Sequence, residues 1–257
     1  MATTSFPTER TVVVTGAGSE RGIGRAVALR LARSGWSVAA LDIDEAAAQR
    51  TAREVGERFG VPALGVAADI ADEHSVDDAA ARVEAELAPV VGIANVAGVS
   101  SPVPFLELTT QEWDRVFDVN IRGQFFVTRR FMQGMVDRGI GRVVSVSSAS
   151  AQRGGGVYSK VPYSAAKAAL LGMTRALARE VGKNGVTVNA VSPGPIDTDI
   201  MGGALSEERK ADMVADLVVD RVGTVDDVAA VIEFLLGPDS GYITGATYNV
   251  NGGLIID

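Results

Sequence analysis

Short, almost wholly apolar runs alternate along this chain with longer segments in which apolar positions return every three or four residues. The runs at 11–15 (TVVVT), 37–42 (SVAALD), 63–67 (ALGVA), 90–94 (VVGIA), 142–146 (RVVSV) and 187–191 (TVNAV) read as strands, and 247–250 (TYNV) makes a seventh. Because both faces of these runs are apolar, they predict strands covered on both sides rather than half-exposed ones. The segments at 22–34, 44–59, 73–87, 110–137, 162–181 and 226–236 have helical period. Strand–helix alternation of this kind predicts an α/β architecture, a parallel sheet with helices on both faces. No repeat, low-complexity tract or compositional break divides the 257 residues, so a single domain is expected.

The first strand leads into the strongest binding signal. Val12, Val13 and Val14 run through Thr15 into Gly16-Ala17-Gly18-Ser19-Glu20-Arg21-Gly22-Ile23-Gly24, and a helical segment follows. Glycines at such a strand-to-helix turn let backbone N–H groups approach a diphosphate and let the helix lie against the sheet. A glycine-rich turn alone is weak, but an acid about twenty residues on completes the dinucleotide pattern. That acid is Asp42, at the end of the second strand. A carboxylate there accepts hydrogen bonds from the ribose hydroxyls of NAD and repels the 2′-phosphate of NADP. Arg21 is the competing cue, a cation that could serve a phosphate. Repulsion at hydrogen-bond range outweighs one solvent-screened arginine, so NAD is the expected cofactor.

Tyr163 and Lys167 lie four apart in a segment of helical composition, which puts both on one helix face. An ammonium beside a phenol favours the phenolate, and a tyrosine so tuned acts as acid or base near neutral pH. Alone, the pair would read as an ordinary amphipathic helix surface.

Composition narrows the partners. With 32 acidic and 24 basic side chains the formal net charge is -8, which disfavours nucleic acid and anionic membrane surfaces. There is no cysteine, hence no disulfide, thiolate nucleophile or sulfur-based metal site. The single histidine, His74, sits in an acidic helix start and reads as solvated, so no metal is expected. The first ten residues lack the pattern of a signal peptide and no apolar run has the length of a membrane span, so a soluble, cytoplasmic protein is expected.

Taken together, these residues resemble the short-chain dehydrogenase/reductase superfamily over nearly the whole chain. The resemblance rests on Thr15-Gly16…Gly22-Ile23-Gly24, on Asp69 after the third strand and on Asn95-Val96-Ala97-Gly98 after the fourth. Asn120, Ser148, the Tyr163…Lys167 pair and Pro193-Gly194 leading to Thr198 complete it, in the family's order. It implies a Rossmann-like doubly wound sheet of order 3-2-1-4-5-6-7 and a dinucleotide held by Gly16, Ser19, Arg21, Gly22, Ile23, Gly24, Asp42, Ile43, Asp69 and Ile70. Asn95, Ala97, Gly98, Pro193, Gly194, Ile196 and Thr198 would continue that site, with Thr198 on the carboxamide. It further implies that Tyr163 is the acid/base and that Lys167 lowers its pKa and holds the nicotinamide ribose. Ser148 would bond the substrate oxygen, and Asn120 would hold a water that links Lys167 to solvent.

The chain also departs from the family. Val96 replaces the second asparagine of the signature. Five residues separate Gly16 from Gly22 where three are usual, so Ser19, Glu20 and Arg21 are expected to bulge over the nucleotide. Ser148 lies fifteen residues before Tyr163, two more than usual, and Ser150 stands at the usual interval as a rival. Ser148 is preferred because it ends the apolar strand; the extra length then falls in a glycine-rich loop beside the substrate.

Substrate identity is not written as plainly. A lid is expected at about 196–220, where Ile200, Met201, Leu205 and Met213 either line a pocket for a small to medium secondary alcohol or ketone or merely pack the lid. Ser150 and Tyr158 are expected at the pocket, with 102–106 on the opposite wall. The alternative is a 3-oxoacyl carrier-protein reductase, which the chain also resembles; against it stand that group's general preference for NADPH and the acidic surface. A non-catalytic nucleotide sensor would have no use for Asn120, Ser148, Tyr163 and Lys167 together, and an epimerase would need a further domain. Apolar residues on several sides of the 110–137 and 162–181 segments (Phe117, Phe125, Phe126, Phe131, Leu170, Leu171, Met173, Leu177), with the family habit of pairing these helices, imply a homotetramer.

Overall fold

Valine and alanine fill the strands because each strand is sealed between helices. In the computed structural model, which describes residues 5–156, 158–201 and 203–256, seven parallel strands form one sheet of order β3-β2-β1-β4-β5-β6-β7. They are β1 (Thr11–Thr15), β2 (Ser37–Asp42), β3 (Ala63–Ala67), β4 (Val90–Asn95), β5 (Gly141–Val146), β6 (Val186–Pro193) and β7 (Thr247–Val250). The order is the expected one, and most strand bounds agree to within a residue. β6 runs two residues further, carrying Ser192 and Pro193 to the edge of the cleft.

Alternation along β1 divides the interior. Val12 and Val14 face one apolar layer with Leu31, Trp36, Ile232 and Leu235, while Val13 faces the other with Leu41, Ile93, Phe131 and Met135. Helices α1 (Ile23–Arg33) and α9 (Val225–Leu236) cover the first layer. The second is covered by α3 (Glu73–Glu86), α5 (Gly123–Arg138) and α7 (Val161–Val181). Each large side chain so buried contributes about 1.5–3 kcal/mol relative to exposure. The remaining helices are α2 (Glu45–Phe59), α4 (Thr110–Phe117), the short α6 (Ser150–Arg153) and α8 (Glu207–Val214).

Helix starts differ in a way that matters for the site. Asp44, Asp72, Thr109, Ser206 and Thr224 cap α2, α3, α4, α8 and α9 with a side-chain oxygen on a first-turn N–H. α1 starts at Gly22 with no side-chain cap and no acid in its first turn.

The continuous helix expected over 110–137 is interrupted. Asp118–Arg122 forms a single π-helical turn between α4 and α5. Such turns leave no local sequence signal but are common at functional sites, and here the turn carries Asn120. Among the described residues, no helix is long and apolar enough to cross a membrane.

Candidate active site

β1 has β2 on one side and β4 on the other, so the chain's winding reverses there, and a crevice opens at the carboxyl ends of the strands. The glycine turn lies along it. Gly16 has φ +65°, and a Cβ there would meet Ala97 Cα at 2.8 Å; one on Gly24 would meet Gly16 O at 2.2 Å. Thr15 Oγ1 accepts the N–H groups of both Val96 and Ala97 at 3.0 Å, tying the turn to the loop after β4. The first-turn N–H groups of α1 have no side-chain cap, and with no acid within that turn they suit a diphosphate. This is the observation by which the residues fit a dinucleotide.

Asp42 is held rigidly. Its Oδ2 accepts Gly18 N–H at 2.8 Å and its Oδ1 accepts Asp44 N–H at 3.1 Å. A Cβ on Gly18 would stand 2.8 Å from Asp42 Cγ, so the glycine is needed for this approach. Ile43 beside it is 74% exposed, an apolar surface at the strand end. Asp69 caps its own turn through Ala71 N–H at 2.9 Å, and Ile70 is buried where it would strike any Cβ on Gly123. Arg21 is not directed at Asp42: its guanidinium donates to Asp197, far along the chain.

Ser148, Tyr163 and Lys167 meet in the lining of a cavity of about 640 Å³, which also includes Ser150, Tyr158 and Thr198. β5 delivers Ser148 just past its end, and α7 delivers Tyr163 and Lys167 from its first two turns. The Ser148 hydroxyl stands close enough to the Tyr163 phenol to favour its ionised form, which favours Ser148 over Ser150 as its partner. Ser150 begins α6, and its N–H bonds Ser148 Oγ at 3.1 Å. Lys167 is 2% exposed and donates to Val146 O at 2.8 Å, with its Nζ 5.7 Å from the Tyr163 ring centroid. Asn120 is fully buried and its Nδ2 donates to Val99 O and Val116 O at 2.8 and 2.9 Å, which fixes its orientation. Among the described residues its Oδ1 accepts no bond, and a Cβ on Gly98 would enter the space it shares with Lys167 Nζ.

Burial corrects the simple expectation for the pair. It pushes the Tyr163 phenol up, opposed by the nearby Ser148 hydroxyl, and pushes the Lys167 amine down to about 7. Desolvation penalises each charged form, so the lysine does not hold the phenol below its ordinary value in the protein alone.

Several expected residues sit elsewhere. Asn95 is fully buried and its Nδ2 donates to Thr128 Oγ1 at 2.8 Å, bracing β4 against α5 and not facing the cleft. Residues 102–106 do not line the described cavity, and Phe105 and Leu106 project into solvent. Ile200 and Met213 line the cavity, whereas Leu205 packs inward; the Met201 side chain lies outside the described residues. Pattern reading passed over Arg153, Arg209, Asp212 and Asp216, which add charge to the cavity mouth. Arg209 lies 4.6 Å over the Tyr158 ring, and Arg153 pairs with Asp216 at 2.7 Å.

A family model described as enoyl-(acyl carrier protein) reductase matches residues 16–255, and with it come named relatives. A short-chain type dehydrogenase/reductase of Sinorhizobium fredii, uncharacterized, is 40% identical, covering 96% of this chain and 98% of its own. The chain belongs to the short-chain dehydrogenase/reductase family. Among this family, an acetoacetyl-CoA reductase of Rhizobium meliloti is 37% identical over 95% of this chain and 98% of its own. A 3-oxoacyl-[acyl-carrier-protein] reductase of Escherichia coli is 33% identical over 92% and 94%. Among solved structures, a blue fluorescent protein from a metagenomic library, in complex with NADPH, matches with a TM-score of 0.88 and 37% identity, covering 96% of this chain and 98% of that one. As a short-chain dehydrogenase/reductase, the chain is an oxidoreductase of nicotinamide-dependent type.

Proposed function

We propose that the protein interconverts a secondary alcohol and a ketone with NAD, using Tyr163 as the general acid and base. The observation that carries this reading is the buried Tyr163 in the cavity lining together with Ser148, with Lys167 one helical turn on. When bound in the crevice, NADH would supply the hydride that reaches the carbonyl carbon. As the C–O π bond opens, Tyr163 gives its phenolic proton to the oxygen, and the Ser148 hydroxyl donates to the same atom. Reversal oxidises the alcohol, with the phenolate taking the hydroxyl proton. The Tyr163 proton is replaced through Lys167 and a water seated on Asn120 Oδ1, which accepts no bond among the described residues. Thr198, buried beside Ile196, would orient the carboxamide.

NAD over NADP rests on Asp42, whose carboxylate is fixed by two backbone N–H groups and cannot swing away from a 2′-phosphate. Arg21 offers no compensation, because Asp197 holds it. A second reading, reduction of a 3-oxoacyl thioester, is favoured by the acetoacetyl-CoA and 3-oxoacyl carrier-protein reductases among the relatives. The 196–220 segment acts as a lid in either case, and a homotetramer is the proposed assembly.

The test is turnover followed by NADH and NADPH absorbance against secondary alcohols, simple ketones and acetoacetyl-CoA, with Tyr163→Phe alongside. NADH-dependent turnover lost by at least a hundredfold in the variant is expected. Acetoacetyl-CoA outperforming every simple ketone would select the second reading, and full activity in Tyr163→Phe would refute the mechanism.

A further inference from the structure

The lengthened glycine turn and the lid segment are joined by a cluster of charges that the chemistry above does not use. The Arg21 guanidinium donates to Asp197, and its Nε lies 3.9 Å from Asp199 Oδ1. Ser19 Oγ donates to Asp199 Oδ2 at 3.0 Å. Asp197 also accepts Leu205 N–H at 3.2 Å and has Lys210 Nζ of α8 at 3.5 Å. The backbone beneath is fixed from the other side: Asp197 N–H bonds Gly223 O at 3.2 Å and Gly223 N–H bonds Pro195 O at 3.0 Å. Asp197 therefore stands between Ile196 and Thr198, both cavity-lining, and is gripped from the turn that precedes the uncapped start of α1.

We propose that Arg21 is a positioning residue for the dinucleotide, fixing residues 196–198 through Asp197 and neutralising carboxylates that would otherwise face a diphosphate. This rests on the dinucleotide reading. Two carboxylates, Asp197 and Asp199, lie against the turn where that reading places two phosphate charges. Without the Arg21 cation they oppose binding, and the segment bearing Ile196 and Thr198 loses the tie of Asp197 to the glycine turn. Removing Asp197 as well relieves the repulsion, so the two losses are not additive.

The experiment is fluorescence titration of NADH, and stopped-flow measurement of its release, on wild type, Arg21→Gln, Arg21→Lys, Asp197→Asn and the Arg21→Gln/Asp197→Asn double variant, with thermal melts to show that each is folded. Arg21→Gln is expected to weaken NADH binding by about five- to tenfold at low salt and to speed its release. Arg21→Lys should fall between it and wild type, the double variant should bind better than Arg21→Gln, and added salt should narrow all the differences. NADH affinity in Arg21→Gln within twofold of wild type, or a double variant no better than Arg21→Gln, would overturn the proposal. A loss confined to NADPH would also overturn it, by assigning Arg21 to a 2′-phosphate. If wild type binds neither dinucleotide, it is the functional reading that fails, and this proposal with it.

Discussion

Gly98→Ala puts the proton path to a direct test. An added Cβ would stand 2.7 Å from Asn120 Oδ1 and 3.1 Å from Lys167 Nζ. The φ of Gly98 lies outside the left-handed region, so the methyl group acts through space and not through backbone strain. Neither neighbour withdraws easily. Asn120 is pinned by its two carbonyl partners, and Lys167 is buried on Val146 O. Overpacking of a close-fitted site costs about 1–3 kcal/mol, which for a chain of this size lowers the melting temperature by roughly 2–10 °C. Catalysis should suffer more, because the methyl group occupies the space shared by the two polar atoms. A misplacement of a few tenths of an ångström here should lower kcat by about ten- to a hundredfold. The assay is kcat across pH 6–9 beside thermal melts, for Gly98→Ala, Asn120→Ala and the double variant. If the loss travels through Asn120, the double variant will be no slower than Asn120→Ala alone. A Gly98→Ala enzyme with kcat within twofold of wild type, or losses that multiply in the double variant, would refute the reasoning.

Asp42→Ala removes the fixed carboxylate and with it the acceptor of Gly18 N–H; the ratio of kcat/KM with NADH to that with NADPH should fall by at least about tenfold, and an unchanged ratio would contradict the assignment of cofactor preference. Lys167 is held down to about 7, so between pH 7 and its ordinary value near 10.5 the unfolded chain binds a proton that the folded chain does not, and stability rises with pH over that window. The melting temperature of Lys167→Met relative to wild type should therefore improve as pH falls from 9 to 7, and parallel curves would exclude a depressed lysine. Phe125 on α5 is 42% exposed, and Phe125→Glu should reduce the mass measured by light scattering if α5 pairs across an assembly axis; a wild-type monomer at micromolar concentration would remove that assembly altogether.

Local pattern carried the frame of the molecule, because strands sealed on both faces and helices of 3.6 period write their identity into neighbouring residues. β1, β2, β3 and β7 have the expected bounds. The spacing of Tyr163 and Lys167 placed both in the cavity, since a four-residue interval on a helix fixes a common face. What escaped depends on residues distant in sequence or on burial. The π-turn at Asp118–Arg122 has no proline, and what it contributes becomes visible only when Asn120 finds Val99 O and Val116 O. Asn95 carries the family's signature position, yet its side chain is committed to Thr128, a partner that no motif names. The sign of the Tyr163 and Lys167 shifts follows from desolvation, which sequence spacing does not encode.

The same distinction sets apart a contact that the reaction does not dictate. Residues that touch the reacting atoms are constrained by the reaction, so a resemblance transfers them well. Arg21 and Asp197 stand 176 positions apart and touch neither hydride nor proton, so nothing in the reaction fixes them. Yet their pairing determines how the turn that would grip a diphosphate is coupled to the segment that would orient the nicotinamide. A glycine turn longer than usual could have been slack, adding mobility beside the cofactor. Here the added residues meet the segment at 196–199 through Arg21 to Asp197 and Ser19 to Asp199, so the extra length supplies a constraint instead. Cofactor affinity and release should thus respond to these two contacts more than to a change at Ser148, whose part is with the substrate oxygen.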